Sequence, residues 1–200
     1  MSKVFDLFII GGGINGAGIA RDAAGRGLSV CLADKGEIGG ATSSWSTKLI
    51  HGGLRYLENY EFKLVRESLI EREIVYKIAK PISKPIPFII PYVDKIRPAW
   101  LIKIGLFLYD NLGGKSNIPK SKTLDLKKKF PNILKEKYKT GFQYFDIQID
   151  DKKLTKLNVK DAKRNKAKIL EYNKVKKAEI IDNKWIIHLQ NGNKITSKVL

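Results

Sequence analysis

A short apolar strand that runs straight into a cluster of glycines leaves a chain few ways to fold. Residues 6–34 read DLFIIGGGINGAGIARDAAGRGLSVCLAD. Leu7, Phe8, Ile9 and Ile10 form an almost wholly apolar run, the pattern of a central parallel strand covered on both faces. Gly11, Gly13 and Gly16 then give the spacing G-x-G-x-x-G, and Ile14 to Arg26 is alanine-rich and helical in character. A second strand, Leu28 to Ala33, ends on Asp34, 18 residues beyond Gly16. Strand, glycines, helix, strand and acid in this order predict a dinucleotide-binding βαβ unit.

Each residue type answers a physical requirement. Gly11 permits the tight strand-to-helix turn, Gly13 lets the backbone approach a pyrophosphate, and Gly16 lets the helix pack closely on the strand. The helix start, with Ile14 and Asn15 at its first positions, offers N–H groups and a positive dipole end to that pyrophosphate. Asp34 is placed to accept hydrogen bonds from the adenosine ribose hydroxyls. Its charge repels a 2′-phosphate and so disfavours NADP.

Residues 41–58 read ATSSWSTKLIHGGLRYLE, small hydroxyl residues followed by Lys48, His51, Gly52, Gly53, Arg55 and Tyr56. Together with the glycine fingerprint, this run resembles the FAD-dependent glycerol-3-phosphate dehydrogenases of the D-amino-acid-oxidase-like flavoprotein superfamily. The similarity continues through EFKLVRESLIERE, IRPAWLIKIGLFLYDNLGG and GFQYFDIQIDD, covering most of residues 4–154 and weakening beyond. It implies FAD as the cofactor and oxidation of sn-glycerol 3-phosphate to dihydroxyacetone phosphate, with electrons passed to a membrane quinone.

By the same resemblance, residues 41–48 lie along the ribityl and isoalloxazine portion of FAD, where Thr42, Ser43, Ser46 and Thr47 supply hydroxyls. His51 either touches the flavin ring or bonds the backbone, and both readings stand. Gly52 and Gly53 let the backbone pass close under the ring. Arg55 faces the substrate phosphate, with Tyr56 beside the same pocket. The chemistry agrees, because a phosphomonoester calls for a permanently charged, forked donor. The competing reading of Arg55 is a surface ion pair with Glu58.

The fold expected is α/β: a Rossmann-type FAD-binding domain, a parallel sheet plus a three-stranded β-meander, interrupted by part of an α+β substrate or cap domain. Residues 1–58 form the βαβ unit and flavin loop, 59–141 the cap segment, and 142–200 the return to the FAD-binding domain. The cap should carry an apolar-striped helix, Tyr60 to Lys80, then an edge strand, Ile86 to Tyr92, marked by Pro87 and Pro91. A second helix, Ala99 to Leu112, has a continuous apolar surface that implies burial, with a membrane-facing surface as the alternative. Asp150 should cap a lysine-rich helix whose core stripe is thin. Val175 to Asp182, Trp185 to Gln190 and Lys194 to Leu200 then read as the meander, turned at Asn191-Gly192. His188 should be solvated.

The resembling enzymes are longer, so the 200 residues correspond to an N-terminal portion that stops short of a closing small-residue turn. No residue present is a persuasive proton acceptor for a substrate hydroxyl, and no metal-ligating cluster stands out. Two other readings follow. One is an amino-acid or amine oxidase of the same superfamily, disfavoured by Arg55-Tyr56 behind the HGGL turn. The other is a non-catalytic remnant or split-gene subunit that needs a second chain.

Composition narrows the partners. The net charge of +18 is concentrated toward the C-terminus, where residues 121–200 hold 21 basic against nine acidic side chains. Of the 38 basic residues 31 are lysine, whereas readers of nucleic acid favour arginine for its fork and stacking, so no nucleic-acid partner is expected. Weak attraction to anionic lipid, and with it peripheral membrane contact, fits lysine better. No secretory leader is recognisable, and lone Cys31 inside a strand reads as a small buried hydrophobe. The expected location is cytoplasmic, with the inner face of the cytoplasmic membrane as the peripheral alternative.

Overall fold

The structure, a computed structural model, describes residues 3–40, 46–93, 96–131 and 138–200. In chain order the elements are β1 (Val4–Ile10), α1 (Ile14–Gly25), β2 (Val30–Ala33), β3 (Leu49–Ile50), a 3-10 helix (Leu54–Asn59) and α2 (Phe62–Ile78). There follow β4 (Ser83–Pro91), α3 (Ala99–Asn111), β5 (Lys122–Asp125), α4 (Leu126–Lys129), β6 (Thr140–Ile149) and α5 (Asp151–Arg164). The chain ends with β7 (Lys168–Leu170), β8 (Val175–Ile181), β9 (Lys184–Leu189) and β10 (Lys194–Val199). They divide into two units, residues 1–48 with 150–200, and residues 49–149.

The first unit is a six-stranded sheet in the order β7-β2-β1-β10-β9-β8. β7, β2, β1 and β10 run parallel, whereas β9 and β8 return antiparallel. The meander is therefore continuous with the parallel sheet, because β10 belongs to both. All four residues of β2 are buried, as a strand covered on both faces requires. Val30 and Leu32 pack with α1 and α5, while Cys31 and Ala33 join Phe5, Phe8, Ile187, Leu189 and Ile195 in a second cluster. Ile10, at the strand end that meets the glycines, is 55% exposed rather than covered. At the start of β1 the Asp6 carboxylate accepts from the Ser29 amide and hydroxyl and from Lys198 at 2.6–2.8 Å, tying the loop before β2 and the end of β10 to one group. These bonds, Lys198 first, hold the Asp6 carboxyl well below the usual carboxylate range.

The thin stripe of α5 suffices because its partner is thin too. Thr155, Val159 and Ala162 are buried on α5, and Ala17, Ala20, Ala23 and Ala24 on α1. Helices lined by small residues approach closely, so a lysine-rich helix needs little apolar area to dock. Asp150 caps α5 as expected, accepting from the Lys153 amide at 2.9 Å. His188 is less free than expected, lying 2.8 Å from Glu179.

The second unit centres on β6, which pairs antiparallel with β4, β3 and β5. This corrects the domain boundaries: Phe142 to Ile149 belongs to this sheet rather than to the nucleotide unit. The two-residue β3 enters the unit ten residues ahead of its expected start at 59. The reason is β6 itself, a ten-residue strand that supplies partners to three others. β4 starts three residues before the expected Ile86 and is an edge strand. Pro85, Pro87 and Pro91 share one parity, so their missing N–H groups all fall on one side of the strand. α3 buries Leu106 and Tyr109 yet leaves Trp100 and Phe107 63% and 66% exposed, so only one face of this apolar helix is covered.

Close packing of α1 makes a direct test. Ala20→Leu inserts three heavy atoms where nothing is exposed and should cost about 1–3 kcal/mol by overpacking. A urea melt should show a lower midpoint with an unchanged slope.

Candidate functional site

The glycine turn of the first unit is shaped by contacts that admit no side chain. Gly11 takes φ +103°, a conformation that L side chains rarely adopt. A Cβ on Gly16 would lie 2.0 Å from the Gly11 carbonyl oxygen, and one on Gly12 would lie 2.1 Å from Ile38 Cδ1. Gly13 is the N-cap of α1, and no side chain caps that end or places an acid in its first turn. Ile14 and Asn15 follow, both exposed. Among the described residues, the result is a helix N-terminus without a side-chain cap or an acid in its first turn, approached by glycine backbone. That arrangement fits a dianionic pyrophosphate.

Asp34 does more than await a ribose. Its Oδ2 accepts from the Gly12 amide at 2.6 Å and its Oδ1 from the Gly36 amide at 2.8 Å. Each carboxylate oxygen keeps a second lone pair for a ligand hydroxyl. The loop behind it is pinned as well. The Gly39 amide donates to the Gly12 carbonyl at 3.1 Å, and the Ile38 amide to Glu171 at 3.1 Å. Glu37 receives Lys152 at 2.8 Å and Lys156 at 2.6 Å from α5. Those two bonds, Lys152 first, hold the Glu37 carboxyl down to about 2.

Of the hydroxyl residues, Thr42 and Ser43 lie outside the described residues, as does Trp45. Ser46 donates to Asp151 at 2.6 Å and accepts from the Lys48 amide at 3.0 Å, so its hydroxyl is engaged within the protein. Thr47 is exposed. Burial pushes the Cys31 thiol up to about 11, which leaves it inert at neutral pH.

His51, Gly52, Arg55 and Tyr56 belong to the second unit. His51 is exposed and Gly52 is buried. A Cβ on Gly52 would sit 2.2 Å from Leu69 Cδ2 and 2.8 Å from the Tyr109 hydroxyl. Gly53 is left-handed at φ +73°, with the Tyr56 ring 2.5 Å from where its Cβ would be. Arg55 and Tyr56 stand exposed on the 3-10 helix that follows. Glu58, the competing partner for Arg55, is taken instead by Arg97, whose two nitrogens donate to its two oxygens at 2.6 and 2.7 Å. Arg55 makes no ion pair among the described residues.

Sequence reasoning missed a buried cluster behind this turn. Tyr109 donates to Asp146 at 2.6 Å and accepts from the Gly52 amide at 2.7 Å, and Arg72 donates to Asp146 at 2.8 Å. One signal was available: Arg72 continues the i, i+4, i+7 spacing of buried Val65 and Leu69, which puts a charge on the core stripe of α2.

Comparison with known proteins agrees with this geometry. Residues 6–200 match the family described as FAD dependent oxidoreductase. D-erythritol 1-phosphate dehydrogenase of Brucella abortus is 50% identical over 189 residues, 94% of this chain and 38% of that protein. Aerobic glycerol-3-phosphate dehydrogenase of Escherichia coli is 46% identical over 186 residues, 93% of this chain and 37% of that protein. The chain thus spans less than two-fifths of these relatives. Among solved structures, glycerol-3-phosphate dehydrogenase of Bacillus halodurans, complexed with FAD, superposes with a TM-score of 0.68 at 28% identity, covering 98% of this chain and 34% of that one.

Two outcomes test the turn. Gly16→Ala forces the Gly11 carbonyl to move and should abolish FAD retention on gel filtration, while circular dichroism keeps its helical signal. Glu37 tests the loop through pH. Its carboxyl titrates lower folded than at its ordinary 4.5, so its contribution is complete above that value and is lost as pH falls toward about 2. The melting-temperature gap between wild type and Glu37→Gln should therefore be open at pH 6 and shrink steadily across that window.

Proposed function

The chain belongs to the FAD-dependent oxidoreductases, and on that premise we propose that it serves a dehydrogenase that oxidises a phosphorylated polyol, with glycerol 3-phosphate as the substrate. The observation that carries the substrate class is Arg55. It is exposed beside Tyr56, and the Glu58 carboxylate nearby is held at both oxygens by Arg97, so Arg55 makes no close ion pair among the described residues. An arginine so placed can give two parallel N–H groups to two oxygens of a phosphomonoester.

In the first unit, Gly11, Gly13, Ile14, Asn15 and Gly16 would hold the pyrophosphate, and Asp34 would take the ribose hydroxyls. Thr42, Ser43, Thr47 and His51 are assigned to the ribityl and ring portions, while Ser46 and Gly52, whose polar groups are engaged within the protein, support the backbone on either side. Bound FAD supplies the two-electron acceptor for the hydride that leaves the carbinol carbon. Arg55 and Tyr56 fix the phosphate end of the polyol, so that the hydroxyl to be oxidised is set at a constant distance from the anchored group. We take the onward electron acceptor to be a quinone reached at a membrane surface. The exposed Trp100 and Phe107 of α3 and the lysine surplus support that reading.

A longer substrate is the second reading, favoured by the 50% identity to a D-erythritol 1-phosphate dehydrogenase. Arg55 would serve it equally, since both substrates end in the same phosphate. Dye reduction by the intact FAD-loaded protein should proceed with glycerol 3-phosphate or D-erythritol 1-phosphate and fail with glycerol and with amino acids. Turnover of amino acids alone would defeat the proposal. Arg55→Ala should lower kcat/KM for the phosphorylated substrate by about 2–4 kcal/mol, the range for a lost charge-assisted contact. Any residual glycerol oxidation should be unchanged.

A further inference from the structure

Arg72 and Asp146 form a salt bridge at 2.8 Å with side chains only 5% and 6% exposed. Arg72 Nη1 also donates to the Phe145 carbonyl at 3.1 Å, while its buried Nε has no partner among the described residues. Such a pair is weak ground for stability, because well-packed apolar residues of the same volume usually do as well or better. A buried N–H without an acceptor makes the arrangement costlier still. The cluster has one further polar contact. Tyr109 relays from Asp146 to the Gly52 amide, and Asp146 itself lies 3.4 Å from that amide.

We propose that Tyr109, Asp146 and Arg72 are positioning residues: a buried network that grips the Gly52 amide, fixes the His51–Arg55 turn, and so sets how Arg55 meets a phosphate. The last step rests on reading Arg55 as the phosphate contact. Tyr109 is suited to the relay. Burial first, and the Asp146 charge second, push its phenol far above the ordinary range, so it stays protonated and keeps donating to Asp146 while accepting from Gly52. Three features leave the turn no alternative seat. Leu69 and the Tyr109 hydroxyl exclude a Cβ at Gly52, Gly53 is left-handed, and Leu49 and Ile50 are paired to Gln148 and Ile147, next to Asp146.

Tyr109→Phe keeps the ring and removes one oxygen. In the intact FAD-loaded protein it should speed hydrogen exchange of the amides at 51–55 about tenfold or more. Binding of glycerol 3-phosphate, followed by flavin absorbance, should weaken about tenfold, with glycerol unaffected. Should that variant fail to fold, Arg72→Met with Asp146→Leu removes both charges together and leaves an apolar core, with the same two effects expected. Unchanged exchange at 51–55 in the variant that folds overturns the network. Faster exchange with unchanged phosphate affinity overturns the link from turn to ligand. If Arg55→Ala leaves glycerol 3-phosphate affinity intact in otherwise wild-type protein, the assignment of Arg55 fails instead, and the exchange result still decides the network by itself.

Discussion

A Cβ on Gly16 would lie 2.0 Å from the carbonyl oxygen of Gly11, and much of the first unit follows from a strand and helix meeting that closely. A helix held so near the sheet can carry only small residues on its inner face, and α1 buries four alanines there. Small residues in turn let α5 approach, so that Thr155, Val159 and Ala162 are enough to seat a helix whose other residues are mostly lysine, asparagine and aspartate. The same tightness recurs at the loop, where a Cβ on Gly39 would lie 3.3 Å from Thr155 and one on Gly12 would meet Ile38. Among the described residues, the end of β1 brings glycine backbone beside a helix N-terminus, the chemistry a phosphate seeks.

The second unit solves a different problem. Its sheet buries Phe142, Ile147 and Ile149 of β6, yet also Gln143 and Asp146. Polar groups in a core must find partners, and those partners then become as fixed as the core itself. Lys129 reaches Gln143 at 3.1 Å, and Arg72 and Tyr109 meet Asp146. The first unit thus shapes its glycine turn by exclusion of side chains, while the second holds the turn at Gly52 by hydrogen bonds.

The legible parts of this chain were local or periodic. The glycine spacing, the two strands around α1, the stripe of α2, the Asn191-Gly192 hairpin and the Asp150 cap each lie within a window of a few residues. Each requires one residue type for a reason that needs no tertiary partner. The unit boundaries were not legible. β3 is two residues long, too short for any alternation, and β6 declares its partners only through pairing with β3, β4 and β5. The buried cluster was hidden for the same reason, since Arg72 and Asp146 are 74 residues apart and Tyr109 and Asp146 37. Ser46 was read as a ligand group from the family resemblance, and Asp34 from its place in the glycine fingerprint. Their bonds to Asp151, Gly12 and Gly36 depend on a loop path that spacing does not encode.

The chain spends its arginines differently from its lysines. Arg21, Arg26, Arg72 and Arg97 each hold a carboxylate at 2.6–2.8 Å. Lysine supplies the surplus charge. Arg55, Arg66 and Arg164 make no such pair among the described residues, so a missing partner alone does not distinguish Arg55. Its backbone does. Arg66 lies within α2 and Arg164 ends α5, where a cation complements the C-terminal dipole. Arg55 follows the left-handed Gly53 on a 3-10 turn, with the Tyr56 ring packed over that glycine and Gly52 gripped from behind. A merely solvated arginine needs none of this, because a flexible helix surface would carry its charge as well. Ordered backbone beneath a guanidinium that makes no close ion pair among the described residues instead lowers the ordering entropy of binding an anion. These surroundings are what support the proposal that Arg55, rather than Arg66 or Arg164, meets a ligand outside the chain.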